Sequence, residues 1–161
     1  MIQEVTGDIT LSKAEIVAHG IAANDPMNQG LALQLHERYP AMHKDFHHWC
    51  RVSHPKPGAV WLWSGSEGAK VANLITQDGG YADHKKPGLA SVSNVDHALK
   101  ELAKLIEKES VETVALPKIA TGVGGLAWED VKPLIEERLG KLDCKVFLYS
   151  TFQQGVQAQE A

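Results

Sequence analysis

Residues 115–128 read ALPKIATGVGGLAW, and this stretch holds the residue types best placed to do chemistry. An apolar run from Val111 to Ile119 predicts a buried strand. It breaks at Thr121-Gly122-Val123-Gly124-Gly125, and Trp128-Glu129-Asp130 then opens an amphipathic helix. Strand, glycine turn and helix in that order make an anion cradle: glycines admit close approach of a phosphate, and successive N–H groups donate to it. Val5-Thr-Gly-Asp8-Ile9 offers a second turn, with a carboxylate, just after a first short strand. Other reactive residues carry weaker patterns. His43 and His47 have the i,i+4 spacing of a helical metal pair, but no third ligand accompanies them and no metal is expected. Cys50 and Cys144 form neither a CxxC nor a zinc spacing, so a reduced, cytoplasmic setting is expected. His19 lies within a strand, where a core histidine bonded to backbone is expected.

The elements that must position these groups alternate. Strands are predicted over Ile2–Val5, Glu15–Ile21, Ala59–Trp63, Ala69–Thr76, Val111–Ile119 and Lys145–Thr151. The third and fourth pair across the Ser64–Gly68 turn. Helices are predicted over Gly30–Arg38 and Ala41–Arg51. A third carries Val95, Leu99, Leu102 and Ile106 on one face, with Asn94 as its N-cap. The last runs to Leu139, with Gly140 at its end and Pro133 making its first turn irregular. Residues 77 to 93 read as a long functional loop. Apolar strands separated by helices indicate a largely parallel α/β sheet, which binds ligands beyond the carboxyl ends of its strands. Four loops fall there: Gly7-Asp8-Ile9, 22–30, 76–80 and 121–125.

At 161 residues, one domain is expected over residues 1–152, with 153–161 as a loose tail that has little to bury. The net charge of −4 argues against bulk nucleic-acid binding, which needs a basic face. No apolar run approaches a membrane span, and a soluble monomer is expected. Trp49, Trp61, Trp63 and Trp128 are assigned to the core or a cleft edge.

The order and spacing of Gly7-Asp8-Ile9, Ala18-His19, Gly30-Leu31-Ala32, Asn73-Leu-Ile-Thr76, Pro117-Lys-Ile119, Gly122–Trp128 and Val146-Phe-Leu-Tyr149 resemble a macrodomain over residues 2 to 151. The branch most similar contains the terminal ADP-ribose protein glycohydrolase and bacterial antitoxin-type ADP-ribosylglycohydrolases. The resemblance implies a three-layer α/β/α fold with a mixed, largely parallel sheet, no cofactor, and ADP-ribose or ADP-ribosylated protein or nucleic acid as partner. It assigns Asp8 to the adenine amine, the alternative being that Asp8 only closes its turn. Ile9 and Phe152 fall at the adenine wall, although Phe152 could instead cap the core. Thr121, Gly122, Val123, Gly124 and Gly125 would hold the diphosphate and distal ribose. Asn24, Gly30 and Leu31 would stand opposite, with Asn24 and Asn28 read either as ribose ligands or as turn formers. Thr76 and Gln77 would complete the site. That branch works with a lysine and an aspartate where this chain has Gln77 and Gly124, so its nucleophilic mechanism does not transfer. The route left is a water held by the ligand's own phosphate and the loop backbones. Gln77 would position it, Asp78 is the nearest carboxylate, and Lys85 and Lys86 read as solvated surface. The expected activity is hydrolysis of ADP-ribosyl groups. A phosphatase or deacylase at the distal ribose, and a non-catalytic reader, are the alternatives.

Overall fold

The computed structural model describes residues 1–79 and 87–161. Lys85 and Lys86, and the middle of the predicted 77–93 loop, lie outside the described residues. Strands β1 (Ile2–Gly7), β2 (Ile16–Ala22), β3 (Val60–Ser64), β4 (Lys70–Gln77), β5 (Thr113–Pro117) and β6 (Lys145–Phe152) form one sheet, in the order β1-β6-β5-β2-β4-β3. All neighbours are parallel except β3, which is antiparallel to β4. Helices α1 (Gly30–Arg38) and α2 (Pro40–Ser53) cover one face, and α3 (Val92–Lys108) and α4 (Trp128–Leu139) the other. The three-layer α/β/α architecture is as expected.

The burial pattern explains the layers. In β2, Ile16 and Ala18 join the α3/α4 core, while Val17 and Ile21 join the α1/α2 core. The strand is therefore apolar on both faces, as parallel sheets require. On α3, Val95, Ala98, Leu99, Leu102 and Ile106 form the inward stripe. A buried-edge ion pair joins this layer: Arg138 of α4 donates twice to Asp96 of α3, at 2.8 and 2.9 Å.

Three expectations need correction. Ser91, not Asn94, caps α3: its hydroxyl accepts from the Asn94 N–H at 3.1 Å, so Asn94 is the third helical residue. Pro133 is the sixth residue of α4, not a disturbance of its first turn. The C-terminal segment is not loose but docked. Ala158 is buried against β1 and β6 residues, and Gln153 N–H bonds the Gly7 carbonyl at 3.1 Å. Glu160 accepts from the Ser12 and Tyr149 hydroxyls, both at 2.6 Å. Few apolar residues conceal this docking in the sequence, because polar bonds do most of the holding.

Candidate functional site

The chain reverses its winding at β2 and β5: β2 leads to α1 on one face, β5 to α4 on the other. Such switch points open a crevice at the carboxyl ends of the strands. Pairing of β2 with β5 covers only Ile16↔Val114 and Val17↔Ala115. Beyond it the strands part, and Pro117 has no N–H to offer a neighbour. The gap holds a polar chamber of about 350 Å³, whose walls include Gly20, Asp25, Gln29, Gln77, Lys118 and the glycine turn. An apolar chamber of about 490 Å³ continues it, walled by Ile9, Leu33, Gln34, Tyr149 and Phe152. Gly30, Leu31 and Pro117 line both, so the two form one cleft.

The glycine turn folds back on itself. Gly125 N–H bonds the Gly122 carbonyl at 3.0 Å, Leu126 N–H the Ala120 carbonyl at 2.9 Å, and the Thr121 hydroxyl the Lys118 carbonyl at 2.8 Å. Among the described residues, no backbone bond uses the N–H groups of Gly122, Val123 or Gly124. Three consecutive donors thus remain for an anion. Across the cleft, α1 begins at Gly30 with no side chain capping its N-terminus, leaving its first N–H groups at the same chamber. A Cβ on Gly124 would lie 2.7 Å from the Ala120 carbonyl oxygen, so the turn itself excludes any side chain there. Gly122 faces open space.

The other expected site residues are not all brought together. Gln77 is buried in the polar chamber wall, and its Nε2 donates to the Gly88 carbonyl at 3.0 Å. Asp78 is exposed, away from the chamber lining, with Oδ1 3.5 Å from the Asn94 amide nitrogen. Thr76 is fully buried; its hydroxyl lies 2.8 Å from where a Gly20 Cβ would be, beneath the chamber rather than on its wall. Asn24 lines a separate cavity of about 290 Å³ behind the loop, with His43 and His47. Phe152 ends β6 and is 62% exposed, so it walls the apolar chamber and does not cap the core. Asp8 is almost fully buried outside both linings. Its Oδ1 accepts from the Thr10 N–H (3.1 Å) and hydroxyl (2.6 Å), and its Oδ2 from the Gly155 N–H (3.0 Å). Burial pushes its pKa up, but these bonds outweigh it and hold the carboxyl below the usual aspartate value. Each carboxylate oxygen has two lone pairs, so Oδ2 keeps room for one further donor.

Asp25 and Gln29 of the 22–30 loop, and Pro117, Lys118 and Tyr149 of the macrodomain-like motifs, also line the cleft, although sequence reasoning assigned none of them a role of its own. Asp-Pro and Gln-Gly look like ordinary loop pairs, and Tyr149 like a core residue. His19 also reaches the polar chamber and is held by the Asn73 side chain at 2.7 Å, not by backbone. Asn73 directs its NH2 at the Trp61 and Val71 carbonyls, so its oxygen accepts from His19 Nε2. Burial keeps that ring neutral, holding its pKa below the usual histidine value. Among the described residues no cluster is arranged to hold a metal, and no helix is long and apolar enough to cross a membrane.

The Macro domain family model matches residues 21–135. A DNA ADP-ribosyl glycohydrolase of Mycobacterium tuberculosis is 27% identical over 135 residues, 82% of this chain and 37% of that protein. This chain therefore spans well under half the length of that relative. The human ADP-ribose glycohydrolase OARD1 is 25% identical over 150 residues, 92% of this chain and 91% of that protein. Among solved structures, the macrodomain of M. tuberculosis DarG superposes with a TM-score of 0.82 at 25% identity, covering 92% of this chain and 97% of that one.

Proposed function

The chain belongs to the Macro domain family, and from that premise we propose that its cleft binds ADP-ribose. The N–H groups of Gly122, Val123 and Gly124, which no backbone bond uses among the described residues, line the same chamber as the uncapped N-terminus of α1, and they carry this reading. A diphosphate is the ligand group that satisfies donors from both walls at once. The apolar chamber beyond takes the adenine against Ile9 and Phe152, with Asp8 Oδ2 at its edge for the exocyclic amine. The distal ribose then lies in the polar chamber beside Gln77, Gln29 and Asp25.

The reaction we assign is hydrolysis of ADP-ribosyl groups from modified macromolecules. Two relatives named as glycohydrolases support this class. With Gln77 and Gly124 at the positions where the similar branch uses a lysine and an aspartate, neither position offers a nucleophile or a carboxylate for the anomeric carbon. The nucleophile is a water oriented by the ligand phosphate and the turn, a positioning effect that can supply much of the barrier reduction. Gln77 is a positioning residue, its amide fixed by Gly88. We give Asp78 no role, because it lies outside the chamber lining with its Oδ1 3.5 Å from the Asn94 side-chain nitrogen.

Titration calorimetry with ADP-ribose, against AMP and NAD, tests the binding step. Selective stoichiometric binding is expected. A folded protein that takes up none of the three overturns the reading. Release of ADP-ribose from modified DNA and modified protein then tests turnover, and inorganic phosphate release from ADP-ribose 1″-phosphate would favour the phosphatase instead.

A further inference from the structure

Three histidines that the hydrolysis does not use are stacked behind the cleft wall. The rings of His36 (α1) and His43 (α2) lie 3.9 Å apart with planes 16° from parallel, and His43 and His47 lie 4.2 Å apart. The stack is aimed at the loop joining β2 to α1. His47 Nε2 donates to the Asp25 carbonyl at 3.0 Å, His36 Nδ1 to the Met27 carbonyl at 3.2 Å, and His43 to the Pro26 carbonyl between them. Carbonyls only accept, so each ring spends its one neutral N–H on the loop. His43 Nε2 is buried with no partner, so the donor to Pro26 is Nδ1 and Nε2 is a bare lone pair.

The loop needs such holding. Met27 is fully buried with φ 53°, a left-handed conformation unfavourable for a side chain of this size. Its neighbours Asp25, Gln29, Gly30 and Leu31 form the cleft wall. Protonating the stack would place like charges about 4 Å apart. It would also give His43 Nε2 a buried proton with no acceptor.

We propose that His36, His43 and His47 form a clamp on the cleft wall, which keeps its ligand-receiving shape only while the His43 ring is uncharged, so that mild acid releases the ligand. The clamp rests on the ADP-ribose reading for its ligand and on its own geometry for its action. Among the described residues, the charges acting on His43 are His47 from α2, His36 from α1 and Asp25 from the loop. Cys50 and Arg51 of α2 share its cavity, and His19 of β2 feels the same Asp25. Asp45 is turned to the Trp63 Nε1 at 2.9 Å. Burial first, then His47 and His36, hold the His43 pKa below the usual histidine value, against the Pro26 bond and Asp25. The closed loop thus binds fewer protons than the open one. Its stabilisation is complete above the ordinary histidine value of about 6.5 and is lost as pH falls below it.

The test is calorimetric titration of the full chain with ADP-ribose at pH 7.5, 6.5 and 5.5, in wild type and His43→Phe, which keeps a packed ring that cannot charge. ADP-ribose does not change charge in this window. Wild-type affinity should fall about tenfold between pH 7.5 and 5.5, and the variant's by no more than roughly threefold. A flat wild-type profile, or the same loss in the variant, overturns the clamp. Should His43→Phe not fold, NMR titration of the wild-type imidazoles decides: saturating ADP-ribose must lower the His43 pKa by reciprocity, and an unchanged value overturns the proposal. Should wild type bind no ADP-ribose at pH 7.5, the ADP-ribose reading fails separately. Amide exchange of residues 25–30 then decides, corrected for the intrinsic pH dependence. Protection lost at pH 5.5 supports the clamp, and protection unchanged from pH 7.5 overturns it.

Discussion

Gly122 and Gly124 are the same residue type answering two different demands. A Cβ at 124 meets the Ala120 backbone at 2.7 to 3.0 Å, whereas one at 122 meets nothing within 4 Å. Gly124→Ala should therefore destabilise the fold by about 1–3 kcal/mol in urea unfolding. Gly122→Glu should leave stability within about 0.5 kcal/mol and place a carboxylate in the proposed diphosphate position. We expect at least tenfold weaker ADP-ribose binding in that variant, by calorimetry; unchanged affinity would remove the cradle assignment. On the proposed reading Asp8 carries two tasks, since its carboxylate holds Thr10 and Gly155 and would also receive the adenine amine. Asp8→Ala should thus cost about 1–3 kcal/mol of stability as well as weakening ADP-ribose binding. Because its folded pKa is lowered, its contribution is present above the ordinary aspartate value of about 3.9 and is lost as pH falls through it. Just below that pH, stability should fall less steeply with acid in Asp8→Ala than in wild type.

Among the elements, the docked C-terminal segment has the clearest consequence. It supplies Gly155 N–H to Asp8, the Val156 carbonyl to the Asp8 N–H, and Glu160 to Ser12, Lys13 and Tyr149. Deleting residues 154–161 should lower the melting temperature by several degrees and weaken ADP-ribose more than inorganic pyrophosphate, because the lost contacts lie at the end of the cleft proposed for the adenine. Equal weakening of both ligands would contradict this account. The Asp96–Arg138 pair ties α3 to α4, and neither residue lines the cleft. Asp96→Asn should reduce thermal stability without altering ligand affinity, and the loss should shrink in high salt. The Arg138 hydrogen bonds hold Asp96 below the usual aspartate value, so this contribution also disappears in acid.

For the molecule as a whole, both cysteines are buried and free, and burial raises the Cys50 thiol to about 12. Thiol reagents should react with neither until the chain unfolds, so native-state labelling should follow global unfolding in denaturant. The layers, the helix faces and the pairing of β3 with β4 were largely legible in the sequence, whereas the order of the strands in the sheet was not. Hydrophobic periodicity marks a buried face whatever it packs against, and the glycine turn announces itself between a strand and a helix. Gln77 and Gly124 could likewise be seen to lack the groups of the similar glycohydrolases. The C-terminal docking was hidden, because it depends on polar contacts between Glu160 and residues about 11 to 148 positions away. So was the histidine stack, since His36 and His43 are neighbours only after α1 and α2 fold together. Local chemistry of bonded neighbours determined the elements and the cradle. Which side chains line the cleft, as Asp25 and Lys118 do and Asp78 and Asn24 do not, was decided by the parting of β2 from β5, a property of packing that no stretch of sequence contains.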